Sequence, residues 1–431
     1  MKQTIFTLAI SFLFQVVTAQ SYFPPTNSGT WDTMPAEELG WCQNKIDSLY
    51  DFLNANHTKA FILLKDGKIV LEKYFNGHSR NANWYWASAG KSLTASVVGI
   101  AQQEHLLKIS DTTSKYLGAG WTSCTPEQEA KITIRNQLTM TTGLDDGTGT
   151  YCTDDTCLHY LADAGTRWAY HNAPYTLLDK VIESATGKNL NLYITQKIKT
   201  PTGMDGAYIY QDYNNIFYST ARSMARYGLL ILNKGNWDGN QVLSDTDYFN
   251  EMTNTSQDLN KSYGYLWWLN GKGSFMLPQS QIIFPGNLVP AAPDDMIAAL
   301  GKNGQFINVI PSLNMVWIRM GEAPDSSPIA FTYSRDIWNY LNALNCGSSQ
   351  NKVKETSQLV TYPNPVKDYI YLQSGKEIIS WNYKIFDSNG KQIMIGKTQD
   401  KINLSLLNAG IYLLQLQSMV SSGILGLNMT C

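Results

Sequence analysis

The sequence predicts an α+β domain followed by a small all-β module. Three features carry this expectation. Strand patterns sit early and late in the first 346 residues with helical patterns between them, which is not the alternation of βαβ units. Residues 347–358, Gly-Ser-Ser-Gln-Asn-Lys-Val-Lys-Glu-Thr-Ser-Gln, have almost nothing to bury and read as a linker. Beyond them only short strand patterns remain, separated by turns. A chain of 431 residues has room for two or three domains.

Residues 1–19 read as a secretory signal peptide: Lys2, an apolar run from Ile5 to Val17, and a small-residue site at Val17-Thr18-Ala19 ahead of Gln20. A short buried helix is the competing reading. No later apolar stretch approaches the ~18 residues that span a bilayer. The first domain is expected over 20–346. Its helical spacing begins at Glu37 to Asn54 through Leu39, Ile46, Leu49 and Leu53. Ala60–Leu64 and Ile69–Tyr74 form a hairpin about the turn Lys65-Asp66-Gly67-Lys68. From Ser88 to about His105, Leu93, Val97, Val98 and Ala101 recur at helix spacing. Further helices are expected at Ile132–Met140, Tyr175–Ser184, Leu190–Lys199 and Ser219–Asn233. Phe306–Ile310 and Met315–Met320 read as antiparallel strands about a Pro311-Ser312-Leu313-Asn314 turn, and a helix over Ser334–Leu344 ends the domain. In the tail, 359–431, strands are expected at Tyr369–Leu372, Asn382–Phe386 and Ile411–Leu416. About seventy residues is near the lower limit for independent folding.

Composition narrows the function. Lys plus Arg number 33 against 35 Asp plus Glu, so no broad basic field points to nucleic acid or an anionic membrane surface. Five histidines without a His-Glu-x-x-His or paired Cys-x-x-Cys spacing argue against metal chemistry, and no cofactor is expected. In an oxidising compartment the six cysteines (42, 124, 152, 157, 346, 431) pair in any of fifteen ways, of which Cys152–Cys157 is the credible local bridge.

Ser88-Ala89-Gly90-Lys91 is a Ser-x-x-Lys tetrad at a helix start. Residues three apart share a helical face, so a desolvated Lys91 amine can take the Ser88 proton while the helix N-terminus favours an oxyanion. The tetrad recurs without meaning at Ser349/Lys352 and Ser388/Lys391; only the first follows an aromatic run, Trp84-Tyr85-Trp86, and opens an apolar helix. An ordinary serine N-cap beside a solvated lysine competes with this reading. In Tyr170-His171-Asn172, a phenol with its pKa lowered by ammonium groups can relay protons, and the Asn172 amide can hold Lys91 and a substrate carbonyl. In Lys302-Asn303-Gly304, a lysine on an inner strand can fix an anion or hold the tyrosine deprotonated, and Gly304 lets substrate approach the backbone. The N–H of Gln305 is then a second oxyanion donor beside that of Ser88.

Taken in order, Ser-x-x-Lys, Tyr-x-Asn and Lys-x-Gly resemble the serine β-lactamases and penicillin-binding proteins, in the class C β-lactamase and esterase branch. Thr139-Met140-Thr141-Thr142-Gly143-Leu144, the segment Thr220 to Gly228, which resembles the family's mid-domain helix, and Tyr263-Gly264-Tyr265-Leu266-Trp267-Trp268, which resembles its aromatic strand, extend the resemblance over about residues 35–345. It departs at Lys-Asn-Gly, where β-lactamases carry Lys-Thr-Gly and esterases often His-Gly-Gly.

The resemblance implies a β-lactamase/transpeptidase-like fold: an antiparallel sheet flanked by helices, with a helical subdomain. It implies Ser88 as nucleophile, Lys91 as its base, Tyr170 as proton relay and deacylation base, Asn172 as substrate-amide ligand and Lys302 as electrostatic support. In that fold the first and last helices lie side by side, which implies a Cys42–Cys346 disulfide. A Ser-His-Asp reading through His171 lacks a Gly-x-Ser-x-Gly elbow.

The tail is similar to the C-terminal sorting domain of the type IX (Por) secretion system, through Tyr362-Pro363-Asn364-Pro365-Val366, Ile370, Leu372, the Phe386 to Lys391 turn and Ala409-Gly410-Ile411-Tyr412-Leu413. That implies a small β-sandwich, export through the periplasm to the cell surface or medium, and the outer-membrane secretion machinery as partner. The chain is thus expected to be a secreted serine hydrolase acting on an ester or amide of a small molecule or peptide. The alternatives are β-lactamase or D-alanyl-D-alanine peptidase activity, or a catalytically silent binding homologue.

Overall fold

In the computed structural model, the structure describes residues 21–147, 151–325, 330–346, 359–362, 366–374, 380–387, 391–417 and 422–429. The expected leader at 1–19, the expected linker at 347–358 and Cys431 lie outside them.

In chain order, the first domain uses α1 (Gln43–Ala55), β1 (Thr58–Lys65), β2 (Lys68–Tyr74), β3 (Trp84–Tyr85) and α2 (Gly90–Gln103). It continues with α3 (Asn172–Thr176), α4 (Leu178–Thr186), β4 (Ala207–Gln211), β5 (Asn214–Ser219) and α5 (Ala221–Leu232). The last elements are β6 (Trp268–Leu269), β7 (Ile297–Gly301), β8 (Gln305–Ile310), β9 (Met315–Gly321) and α6 (Phe331–Asn342). A six-stranded antiparallel sheet runs β2-β1-β9-β8-β7-β6, so the early hairpin and the late strands meet in one layer.

Every residue of β7, β8 and β9 is buried. Helices cover both faces, which removes the polar-out alternation that a one-sided sheet would show. Val316 would touch a β-carbon placed on Gly228 of α5, and its neighbour Trp317 packs on Trp338 of α6, as strand periodicity requires. On the α6 side, Phe52 of α1 stacks on Tyr340 at 4.6 Å, and the expected Cys42–Cys346 disulfide joins the two helices' ends.

Helix α2 runs through the interior. Gly90 to Ala101 are buried all round, more than an amphipathic stripe implies. Its polar residues are paired: Ser92 donates to the Leu266 carbonyl at 2.7 Å, while Thr94 and Ser96 bond the Tyr208 and Tyr227 hydroxyls. The helical subdomain has its own core of Trp121, Ile132, Leu144, Leu158, Ala173 and Leu177, and the Cys152–Cys157 bridge closes a loop within it. Cys124 is free.

Two expectations change. The expected helix from Glu37 is a short 3₁₀ turn, Ala36–Leu39, then α1, because Gly40 takes a left-handed conformation (φ 71) that ends the first turn. The segment Tyr263 to Trp268, expected as an aromatic strand, is mostly irregular; only Trp268 and Leu269 join the sheet.

The tail forms two antiparallel sheets. Strands Leu359–Tyr362, Tyr369–Ser374 and Lys401–Asn403 make one; Gln392–Thr398, Trp381–Phe386, Gly410–Gln417 and Ser422–Met429 make the other. Ile370 and Ile402 of the first share a core with Trp381, Ile385, Leu414 and Leu416 of the second, the packing of a small sandwich.

Candidate active site

Ser88 stands at the N-terminal approach to α2, in a single 3₁₀ turn, Ala87–Ala89. The N-cap position falls to Ala89, so Ser88 does not cap α2, and its side chain is free for chemistry. Ala87 holds φ 46, a strained conformation for a non-glycine residue. Trp86 anchors the turn: it is fully buried, and its indole N–H donates to Ser219 Oγ at 2.8 Å.

Lys91, the second residue of α2, is 5% exposed, and its Nζ donates to Ser88 Oγ at 3.3 Å. The amine also sits 4.0 Å above the Tyr175 ring and 5.5 Å from that of Tyr170. Burial pulls the Lys91 pKa down to about 7, against an opposing pull from Asp179. A substantial free-amine fraction therefore exists near neutrality, as a base requires.

Tyr170 is 6% exposed within an aromatic box, stacked on Trp268 at 5.8 Å and flanked by Trp168 and Tyr263. The structure corrects the expectation for its phenol. Burial raises the Tyr170 pKa, and the nearby Ser88 hydroxyl only partly offsets that rise. Among the described residues no cation lowers it: Lys91 lies 5.5 Å from its ring face, and Lys302 is exposed.

Among the described residues, Lys91 donates to Ser88 and to no other side chain, so the expected Asn172–Lys91 bond is not formed. Asn172 is 9% exposed at the start of α3. His171 is 1% exposed, neither ring nitrogen has a hydrogen-bond partner, and burial takes its pKa down to about 4. It makes no contact that would place it in a serine-histidine pair.

Lys302-Asn303-Gly304 is the 3₁₀ turn between β7 and β8, so Lys302 is exposed on a turn and is not on an inner strand. Asn303 adopts φ 63, and its amide donates to Tyr85 Oη at 2.7 Å. Gly304, expected to admit substrate, instead makes room for a guanidinium: a β-carbon there would lie 2.8 Å from Arg319 Nη1. Gln305 is fully buried, and its amide spans to β9, donating to the Gly321 carbonyl at 2.6 Å and accepting from the Gly321 N–H at 3.0 Å.

Two residues that the sequence did not single out position this turn. Arg319 is fully buried and all its N–H groups are used: on the Asn303 and Gly304 carbonyls, on Asn56 and Glu322 carbonyls, and on Thr58 Oγ1. Gly301, last in β7, lies against the Ser88 turn, which closes the gap between the sheet and the nucleophile. No motif marks either position, since both act through the fold.

Residues 58–326 match the family model described as Beta-lactamase. The chain belongs to the beta-lactamase family. Residues 360–424 of this beta-lactamase-family chain match a second model, a secretion system C-terminal sorting domain. A putative penicillin-binding protein, PbpX, of Bacillus subtilis is 27% identical over 167 residues, 35% of this chain and 41% of that relative. Less than half of that curated relative's length is therefore spanned.

Among solved structures, a putative 6-aminohexanoate-dimer hydrolase from Bacillus anthracis superposes with a TM-score of 0.57 at 20% identity, over 75% of this chain and 90% of the other. A family VIII carboxylesterase superposes with a TM-score of 0.52 at 14% identity, over 71% and 99%. These likenesses show the fold: a β-lactamase/transpeptidase-like sheet flanked by helices. Among the described residues no helix is long and apolar enough to cross a membrane.

Proposed function

We propose that the chain is an exported serine hydrolase that cleaves a carboxylic ester or amide through an acyl-enzyme on Ser88. The observation that carries this reading is the 3.3 Å contact from a buried Lys91, with its pKa drawn down to about 7, to a partly exposed Ser88 hydroxyl. Lys91 as free amine accepts the Ser88 proton as Oγ attacks the carbonyl carbon. The backbone N–H groups of Ser88 and Gln305 receive the oxyanion. Tyr170, a neutral phenol beside the serine, passes the proton to the leaving group and later helps a water attack the acyl carbon. Asn172, Lys302 and Asn303 contact the substrate. The sorting domain carries the enzyme across the outer membrane after the leader has taken it to the periplasm.

Intact-protein mass spectrometry tests this after incubation with a fluorophosphonate and, separately, with a penicillin. A fluorophosphonate adduct on Ser88 is expected. A penicillin adduct at the same serine would make the substrate a β-lactam or D-amino-acid peptide, and no adduct with either reagent would count against a catalytic serine.

A further inference from the structure

Helix α4 carries an acidic side chain into the interior behind the Ser88–Lys91 pair. Asp179 is 1% exposed; Oδ2 accepts a hydrogen bond from Asn215 Nδ2 at 2.7 Å, and among the described residues Oδ1 has no partner. A carboxylate buried with one hydrogen bond is costly unless a cation acts on it. Lys91 is the cation that acts on it, through space and without a direct hydrogen bond. Leu177 continues right-handed helical backbone from α3 into α4, so Tyr175 and Asp179, four residues apart, share a face. Tyr175 is the ring over which the Lys91 amine sits at 4.0 Å.

The groups facing this pair are identifiable from every side. Tyr175 lies on the pair's own helix run, and Glu183 follows Asp179 by one turn. Tyr208, Tyr210 and Asn215 come from the β4–β5 hairpin, and Thr94 of α2 bonds both the Tyr175 and Tyr208 hydroxyls, at 3.3 and 2.9 Å. The phenols of Tyr175 and Tyr208 stay neutral through burial. Burial first, and then Glu183, push the Asp179 pKa up to about 7, against the Asn215 hydrogen bond and Lys91. An ammonium formed on Lys91 during serine attack thus has Asp179 as its buried counter-charge.

We propose that Asp179 is a positioning residue for the hydrolytic reaction, a buried counter-charge that stabilises the ammonium appearing on Lys91 as Ser88 gives up its proton. This rests on the serine-hydrolase reading above. The step needs no co-reactant: the Ser88 O–H breaks, its proton forms an N–H on Lys91, and Oγ bonds the acyl carbon as the carbonyl π pair moves onto its oxygen.

The test is the pH profile of kcat/KM for p-nitrophenyl acetate with the full chain. Asp179→Asn should move the acid limb to lower pH by about one unit, since the lysine loses the charge that favours its protonated form, and lower the plateau about tenfold or more. Asp179→Glu should restore part of the acid limb. A plateau loss with an unmoved acid limb, or a limb moved to higher pH, would overturn the proposal.

A measurement on the unmutated protein does not depend on variant folding: with 13C-labelled aspartate and lysine, the Asp179 carboxyl and Lys91 ε-carbon signals should titrate over one shared pH range as a coupled pair. An Asp179 signal flat from about pH 5 to 9 would equally overturn it. Ser88→Ala retaining esterase activity would overturn the hydrolase reading alone, because the coupled titration needs no turnover.

Discussion

A β-carbon on Gly301 would stand 2.4 Å from the carbonyl oxygen of Trp86 and 3.1 Å from the Ala89 amide nitrogen. The inner sheet thus touches the nucleophile turn backbone to backbone. Gly301→Ala should push β7 away from Ser88 and reduce kcat/KM on an activated ester by about 10²-fold, the cost of a misplacement near 1 Å. Overpacking should also destabilise by about 1–3 kcal/mol. Steady-state kinetics with a thermal melt checks both, and wild-type kinetics in this variant would show that the contact is not needed.

Activity should follow the free-amine form of Lys91. With its pKa lowered by burial to about 7, kcat/KM should rise with pH through that value and then level off. Tyr170, held neutral by burial, should add no second rise at alkaline pH. Tyr170→Phe should keep the limb and cost about 10² to 10⁴ in rate. A profile governed only by an alkaline limb would assign the base to the phenol.

His171 should govern acid stability and leave catalysis largely untouched. Its folded-state pKa is depressed from 6.5 to about 4, chiefly by burial, so below 6.5 the unfolded chain takes up a proton that the folded chain refuses. Stability is fully present above 6.5 and declines as pH falls to about 4, by about 3 kcal/mol from this group. Urea unfolding at several pH values should show this loss in the wild type and a shallower one in His171→Phe, while ester turnover at pH 8 stays within a few-fold. A His171 variant as inactive as Ser88→Ala would revive a histidine mechanism.

Arg319→Met should be severely destabilising. The change removes hydrogen bonds to four backbone carbonyls and a hydroxyl in a buried site, and the freed carbonyls of Asn303 and Gly304 lose their anchor. A loss of at least about 3 kcal/mol is expected in denaturant unfolding. A loss below about 1 kcal/mol would mean that the turn holds itself.

The Cys42–Cys346 bridge spans a sequence separation of 304. Replacing both cysteines by serine should lower stability by up to about 5–6 kcal/mol in the chain-entropy account while leaving the Ser88 chemistry intact. Paired melts and ester kinetics on the double variant check this.

Local pattern was enough for the elements that repeat a simple period. The Lys65 to Lys68 turn, the Phe306–Ile310 and Met315–Met320 strands and the helix from Ser88 are legible because each encodes its own geometry within a few residues. The order of Ser88, Lys91, Tyr170 and Lys302 along the chain was likewise enough to nominate a site. Tertiary structure alone decided what those groups are chemically. Tyr170 is neutral because Trp168, Tyr263 and Trp268 enclose it, and Gly304 is small because Arg319 fills the space beside it. Asp179 faces Lys91 only because α4 packs against α2. Burial and the approach of distant segments set pKa and contact, and neither is a property of sequence spacing.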